Sequence, residues 1–285
     1  LIRSFNISQD IKIALIFCLV LTIVFIFLPT INSETNIEPA IKASTKTKIQ
    51  KEQQEPILTN TKKQNTNIIK KTKPMLVLIC DDVVTSSQIN KINTIKENIT
   101  ISFLPPTSGH KNSAKIATSV SNYMVHYPME AIGRKVEEEN TIRIDDSYNT
   151  ILKRTKQLKA WYPNANITNN HTGSLFTKDG QAMDRLMRSL KELNYIFLDS
   201  KTVGQTVAKK YADKHGVRLL QRDVFLDNIQ NRQYIRKQLK IAVSVAKRKG
   251  KAIAIFHPHK LSVQTIKTSK DILKGVNIVY IKEIL

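Results

Sequence analysis

Cysteine is scarce in this chain of 285 residues: there are two, which rules out a disulfide-stapled scaffold. The eight glycines form neither a P-loop nor a GxGxxG turn, so nucleotide and dinucleotide readings lack their fingerprint. No paired CxxC offers a structural zinc site, and no serine sits in a GxSxG elbow. Acidic residues are few, 23 against 45 basic, for a formal charge of +22. Such a charge attracts nucleic acid, an anionic membrane or an acidic polymer. The RRM aromatic signature, zinc-finger spacing and a basic-zipper heptad are all missing, and the lysines are scattered. Lysine, asparagine and isoleucine are abundant together, as an AT-rich coding bias produces. Nucleic-acid binding is therefore disfavoured against loose attraction to an anionic envelope polymer or membrane. At 41% hydrophobic residues the chain as a whole is not disordered.

Three segments differ in composition. Residues 11–28 read IKIALIFCLVLTIVFIFL, and no charge interrupts Ile13 to Leu28. Those sixteen residues span roughly 24 Å as a helix, slightly short of a hydrocarbon core. Ile11 and a snorkelling Lys12 extend the run. A buried globular helix would show a polar face, and this run shows none. A small-x-small cleavage site is poorly formed between Leu28 and Ser33, which favours an uncleaved anchor over a signal peptide. Arg3 and Lys12, offset by Asp10, place the N-terminus in the cytoplasm. The expectation is an inner-membrane anchor over 1–29 with the rest in the periplasm or outside the cell, secreted if the segment is cleaved. Residues 30–74 contain no aromatic residue and no glycine, with nine lysines against four glutamates. They cannot bury enough apolar surface to offset ordering entropy and read as a disordered tether. Its reach is roughly 35–40 Å.

Residues 75–285 read as the folded domain. Apolar, β-branched runs occur at 75–80, 99–104, 123–126, 165–168, 195–198, 217–220, 252–256 and 276–281. Helical patterns separate most of them. In 179–193, Met183, Leu186, Met187 and Leu190 share a face, with Thr177 or Asp179 as cap. In 232–249 the face is Ile235, Leu239, Ala242, Val243 and Ala246, and Gly250 can end the helix. Strand–helix alternation argues a parallel α/β architecture, either a (β/α) barrel of seven or eight strands or an open doubly wound sheet.

Each expected strand ends on polar residues. These are Asp81-Asp82, His126, Asn169-Asn170-His171, Asp199-Ser200, Asp223 and His257-Pro258-His259. In a parallel barrel these ends share one face, the one that carries the active site. One carboxylate and two imidazoles can hold Zn²⁺ or a similar ion and leave room for water. A second carboxylate can take a proton from that water, and a histidine opposite can protonate a leaving group. Cys80 lies inside an apolar run and reads as packing, as does Trp161. His110 and His215 imply no partner.

At these residues the chain resembles the divergent polysaccharide deacetylases, relatives of carbohydrate deacetylases with an irregular (β/α) barrel. The matching stretches are ICDD (79–82), HYPMEA (126–131), NNHTGSLFT (169–177), FLDSKTVGQTVAKKYA (197–212), RDVFLDN (222–228) and AIAIFHPH (252–259). The resemblance covers essentially all of 75–285. It implies Asp81 as base, His257 as general acid, and Asp82, His126 and His171 as ligands of a divalent metal such as Zn²⁺. It also implies site-lining or orienting roles for Asp199 and Asp223, with Glu130, Asn169, Asn170, Ser200 and His259 nearby. Help from Asn169 or Asn170 in stabilising an oxyanion is expected. The chain departs from the family pattern at four places. Val83-Val84 follow the aspartate pair in place of Gly-Pro. Glu130 stands where a second metal histidine is usual, and so competes with His171 as ligand. Thr172 replaces a methionine. Phe256 replaces a glycine and is expected to narrow the pocket. The implied activity is removal of acetyl groups from an envelope or extracellular glycan. A non-catalytic glycan-binding or scaffolding module on the same barrel is the alternative.

Overall fold

The computed structural model describes residues 73–133 and 136–285. The expected membrane segment at 1–29 and all of the expected tether up to residue 72 lie outside the described residues. Among the described residues no helix is long and apolar enough to cross a membrane.

Nine parallel strands form one sheet. They are β1 (Met75–Val83), β2 (Ile99–Phe103), β3 (Tyr123–Met129), β4 (Ile167–Thr172) and β5 (Ile196–Asp199), then β6 (Leu219–Gln221), β7 (Val224–Phe225), β8 (Lys251–Phe256) and β9 (Asn277–Val279). Their order is β6-β5-β4-β3-β2-β1-β8-β7, and β9 pairs with the start of β1. Each of the eight apolar runs supplies a strand. The two-residue β7 is the addition: it is too short to show a period, so the sequence merges it with the sixth run.

Strand alternation divides the core in two. Leu76, Leu78 and Cys80 of β1 join the outer cluster beneath the helices. Val77 and Ile79 join a separate inner cluster with Met124, Ile167, Leu198, Ile253 and Ile255. Residues from β1, β3, β4, β5 and β8 meet there because the sheet curls around them. The curl does not close by strand pairing, because β6 and β7 are the two ends of the ladder. The expected barrel is therefore an open one. Arg222-Asp223 crosses the seam: Arg222 N donates to Asp199 O (3.0 Å) and Asp223 N to Ile253 O (2.9 Å).

Eight helices complete the domain: α1 (Ser86–Asn93), α2 (Ser113–Ala117), α3 (Tyr148–Trp161), α4 (Gly180–Glu192), α5 (Ala208–His215), α6 (Arg232–Lys249), α7 (Lys260–Lys267) and α8 (Lys270–Leu273). Asp179 caps α4 by accepting from Ala182 N. Thr177 instead donates to Gly173 O. The face of α4 predicted from periodicity, Met183, Leu186, Met187 and Leu190, is fully buried. Gly250 ends α6 with φ 82°, a left-handed turn that suits glycine.

Leu186→Ala is expected to cost about 3 kcal/mol of stability. Urea denaturation followed through Trp161, the single tryptophan, measures it. A loss below about 1 kcal/mol would contradict the packing of α4.

Candidate active site

The site begins with a break in alternation. β1 pairs regularly with β2 up to Cys80, then shifts register before Val83. Asp82 sits in that bulge with φ 58°. Regular pleating would send Asp81 and Asp82 to opposite faces. The left-handed residue lets both carboxylates reach the mouth of the sheet. The conformation costs a non-glycine residue about 1–2 kcal/mol, and aspartate is among the side chains that tolerate it best. Thr172 (φ 54°) and Lys201 (φ 49°) repeat the feature just at or after the ends of β4 and β5. Asp82 and Thr172 both line the site cavity, where backbone strain of this kind can serve function.

Asn169 is fully buried on the inner face of β4. Its Nδ2 donates to both oxygens of Asp81 (3.1 and 3.0 Å) and to Ser200 Oγ (3.0 Å). Its Oδ1 accepts from Ser102 Oγ (2.8 Å) and His126 Nδ1 (2.9 Å). The carboxylate fixes which end of the amide is nitrogen. The amide oxygen in turn requires the proton of His126 on Nδ1 and leaves Nε2 as the free nitrogen. That Nε2 lies 3.3 Å from Asp82 Oδ1 and 3.6 Å from Asp81 Oδ2. His171 Nδ1 lies 2.9 Å from the same Asp82 oxygen.

The electrostatics follow from burial and charge. Burial pushes the Asp81 carboxyl above its ordinary range, against the pull of His126. Burial acts on Asp82 the same way, but hydrogen bonds from His126 and His171 outweigh it and hold its pKa far below that range. His126 is raised: burial opposes its charge, and Asp81 and Asp82 overcome it.

Asp82, His126 and His171 offer ligand atoms that all lie within 4.8 Å of one another. Two imidazole nitrogens and a carboxylate oxygen suit Zn²⁺ or a similar ion. Two nitrogens aimed at one carboxylate oxygen need a shared proton or cation. Asn169 holds His126 through its other nitrogen, as partners of metal-binding imidazoles do. Among the described residues the donor set therefore fits a divalent cation.

His257 follows β8 and faces this group, its Nε2 3.9 Å from Asp82 Oδ2. Its Nδ1 donates to Asp227 Oδ1 (3.0 Å), and its backbone N–H donates to Asp227 Oδ2 (2.9 Å). Ser262 Oγ donates to the same Oδ2 (2.7 Å). Burial disfavours charge on His257, but Asp227 and the aspartate pair prevail and raise its pKa to about 9. The sequence reading missed Asp227. The strand-end rule points to it, because it follows the apolar Val224-Phe225-Leu226. With β7 unrecognised, the rule selected Asp223, which precedes that strand.

Several expected residues do not join the site. Asp223 accepts from Lys249 Nζ (2.8 Å) and Ile253 N (2.9 Å), toward the start of β8. Asp199 shares the outer face of β5 with Phe197 and accepts from Lys201 N (2.8 Å). Glu130 is held by Ile144 N (2.9 Å) and Arg143 (3.4 Å), away from the ligand group. Asn170 does line the cavity, but its side chain donates to Thr172 O (2.7 Å) and accepts from Ser200 N (2.8 Å). The Asn169 amide is equally committed, so neither side chain is spare for an oxyanion. His259 is exposed at the rim, yet it joins Asp227 and His257 in a second group whose ligand atoms lie within 4.8 Å of one another. Phe256 packs in the outer cluster and does not narrow the cavity. Phe225 is the aromatic residue that lines it.

The cavity, about 220 Å³, is walled by Asp81, Asp82, His126, His171, Thr202 and His257 among others. A larger cleft of about 600 Å³ opens along the seam beside Lys201, Lys209, Lys249 and Lys251. It contains none of the clustered aspartates and histidines, so the chemistry lies in the smaller one.

A curled parallel sheet with carboxylates and imidazoles at the carboxyl ends of its strands defines an α/β protein with its site in the strand-end position. Within that class, residues 78–285 match the divergent polysaccharide deacetylases, and the chain belongs to that family. It is 34% identical over 178 residues to the uncharacterized protein YibQ of Escherichia coli (strain K12), covering 62% of this chain and 56% of that protein. An uncharacterized protein of Haemophilus influenzae is 35% identical over 143 residues, covering 50% of this chain and 51% of that one. The chain thus spans about half the length of the curated relatives it matches. The crystal structure of the uncharacterized protein ATU2773 from Agrobacterium tumefaciens C58 shares the fold. Its TM-score is 0.67 at 18% identity, over 76% of this chain and 91% of that one.

Asn169→Ala is expected to weaken Zn²⁺ binding about 10- to 100-fold through loss of the His126 and Asp81 anchors. Calorimetry on the full chain measures it. Unchanged affinity would remove Asn169 from the organisation of the site.

Proposed function

We propose that the protein is a metal-dependent hydrolase that removes acetyl groups from an envelope or extracellular glycan. The observation that carries this reading is the convergence of Asp81, Asp82, His126, His171 and His257 on one cavity. Family membership supports a glycan as the substrate class. Asp82, His126 and His171 would hold the metal, which when bound supplies Lewis acidity and a more acidic water.

The remaining chemistry belongs to the side chains. Water attacks the acetyl carbonyl carbon, and Asp81 takes its proton. The raised pKa of Asp81 suits a base, and Asn169 aligns the carboxylate. His257 enters protonated, with Nδ1–H engaged by Asp227 and Nε2–H facing the cavity. As the carbon–nitrogen or carbon–oxygen bond breaks, Nε2 gives its proton to the leaving atom. Acetic acid, which ionises to acetate in solvent, and a free amine or hydroxyl result, and Asp81 holds the proton that restores His257.

The test is acetate release from a panel of N- and O-acetylated oligosaccharides by the full chain, with metal content measured in parallel. Asp82→Ala is expected to lose both metal and turnover. His257→Ala is expected to keep metal and lose about 10²- to 10⁴-fold in turnover. Acetate release that is indifferent to both substitutions would overturn the reading. Glycan binding without turnover, retained in Asp82→Ala, would identify a binding module instead.

The uncharged apolar run from Ile13 to Leu28 supports a membrane-tethered domain on the outer side of the inner membrane. A reporter enzyme that works only outside the cytoplasm, fused after Leu285, is expected to be active. Activity confined to a cytoplasmic reporter would contradict the placement.

A further inference from the structure

The open seam raises a physical problem. The base side of the site is carried by β1, β3, β4 and the end of β5, and its acid side by β7 and β8. The β1–β8 ladder, from Met75 opposite Lys251 to Cys80 opposite Phe256, sets Asp81 and Asp82 against His257. No ladder joins β6 to β7, so the wall that Ser200 and Phe225 form across that gap must be held another way. Arg222 stands in the link that crosses the gap.

Its contacts reach both sides. Nε donates to Ser200 O (2.6 Å) and Nη2 to Lys201 O (2.9 Å). Ser200 Oγ is in turn bonded to Asn169, and Ser200 N to Asn170. Lys201 occupies the left-handed region, so its carbonyl is held in a turn that costs energy to maintain. On the other side the guanidinium carbon lies 3.8 Å from the centre of the Phe225 ring. Phe225 stacks on the His257 ring at 6.2 Å between centres and 21° between planes. Two bonded steps thus connect Arg222 to Asn169, and two ring contacts connect it to His257.

We propose that Arg222 is a positioning residue, the latch that holds Ser200 and Phe225, on the two edges of the open sheet, in place around the cavity. The planar fork bonds two successive carbonyls while its face covers an aromatic ring. A lysine ammonium supplies the charge but neither the paired geometry nor the flat face. Arg222 touches no reacting atom. Its effect on turnover rests on the hydrolase reading, whereas its effect on the seam does not.

Arg222→Lys in the full chain separates the two, with Arg222→Met as the uncharged comparison. Amide hydrogen exchange is expected to accelerate about tenfold or more both at 200–202 and at 225–227, with β1 to β4 unchanged. Zinc stoichiometry is expected to stay at the wild-type value. Turnover is expected to fall about 10- to 100-fold in kcat, with KM shifted less than about threefold. Exchange that is unchanged on either side of the seam overturns the latch, whatever the activity. Full kcat in Arg222→Lys with loosened edges overturns its catalytic importance. Faster exchange on both sides in a chain whose wild type releases no acetate sinks the hydrolase reading and leaves the latch standing.

Discussion

A single buried amide organises this site. Asn169 binds Asp81 from β1, Ser102 from β2, His126 from β3 and Ser200 at the end of β5, and is itself part of β4. Its two hydrogens and its oxygen are all in use. The consequence is electrostatic as well as geometric. The amide nitrogen steadies a carboxylate that burial would otherwise drive toward protonation, and the amide oxygen fixes the tautomer of a histidine. In a low-dielectric interior such a fully satisfied network defines one arrangement, and a partly satisfied one would be costly.

The fold makes this possible by the order in which each strand spends its inward positions. Apolar residues come first and polar ones last: Val77, Ile79, Asp81 in β1; Ile167, Asn169, His171 in β4; Ile253, Ile255, His257 in and after β8. Two-residue spacing keeps each series on one face. The inner core therefore packs beneath the site and holds its floor. The left-handed residues Asp82, Thr172 and Lys201 then turn the chain where pleating alone would carry side chains away. Stability is given up locally at strand ends, while α4 and α6 bury continuous apolar faces outside the sheet.

Much of this was legible in the sequence. Every apolar run of 75–285 carries a strand, and α6 starts and stops where periodicity and Gly250 place it. The polar strand ends did lead to Asp81, Asp82, His126, His171 and His257. The errors share one cause, an uncertainty in where strands end. Two residues of β7 show no period, so the sequence offers Asp223 as a strand end and hides Asp227. Asp199 fell one position out of phase, because the inner face of β5 carries Leu198 and Ser200. Phe256 was misplaced by the same parity. The open seam was not legible at all, since pairing between strand edges leaves no local pattern in a sequence.

The chemistry depends on Asp82, His126 and His171 forming one cation site. X-ray absorption fine structure on the zinc-loaded full chain tests that most directly, because it reports the ligand types around the ion. The predicted spectrum contains two imidazoles with the remaining ligands oxygen, and His171→Ala loses one imidazole. A spectrum with sulfur ligands, with no imidazole, or unchanged by His171→Ala would contradict the account.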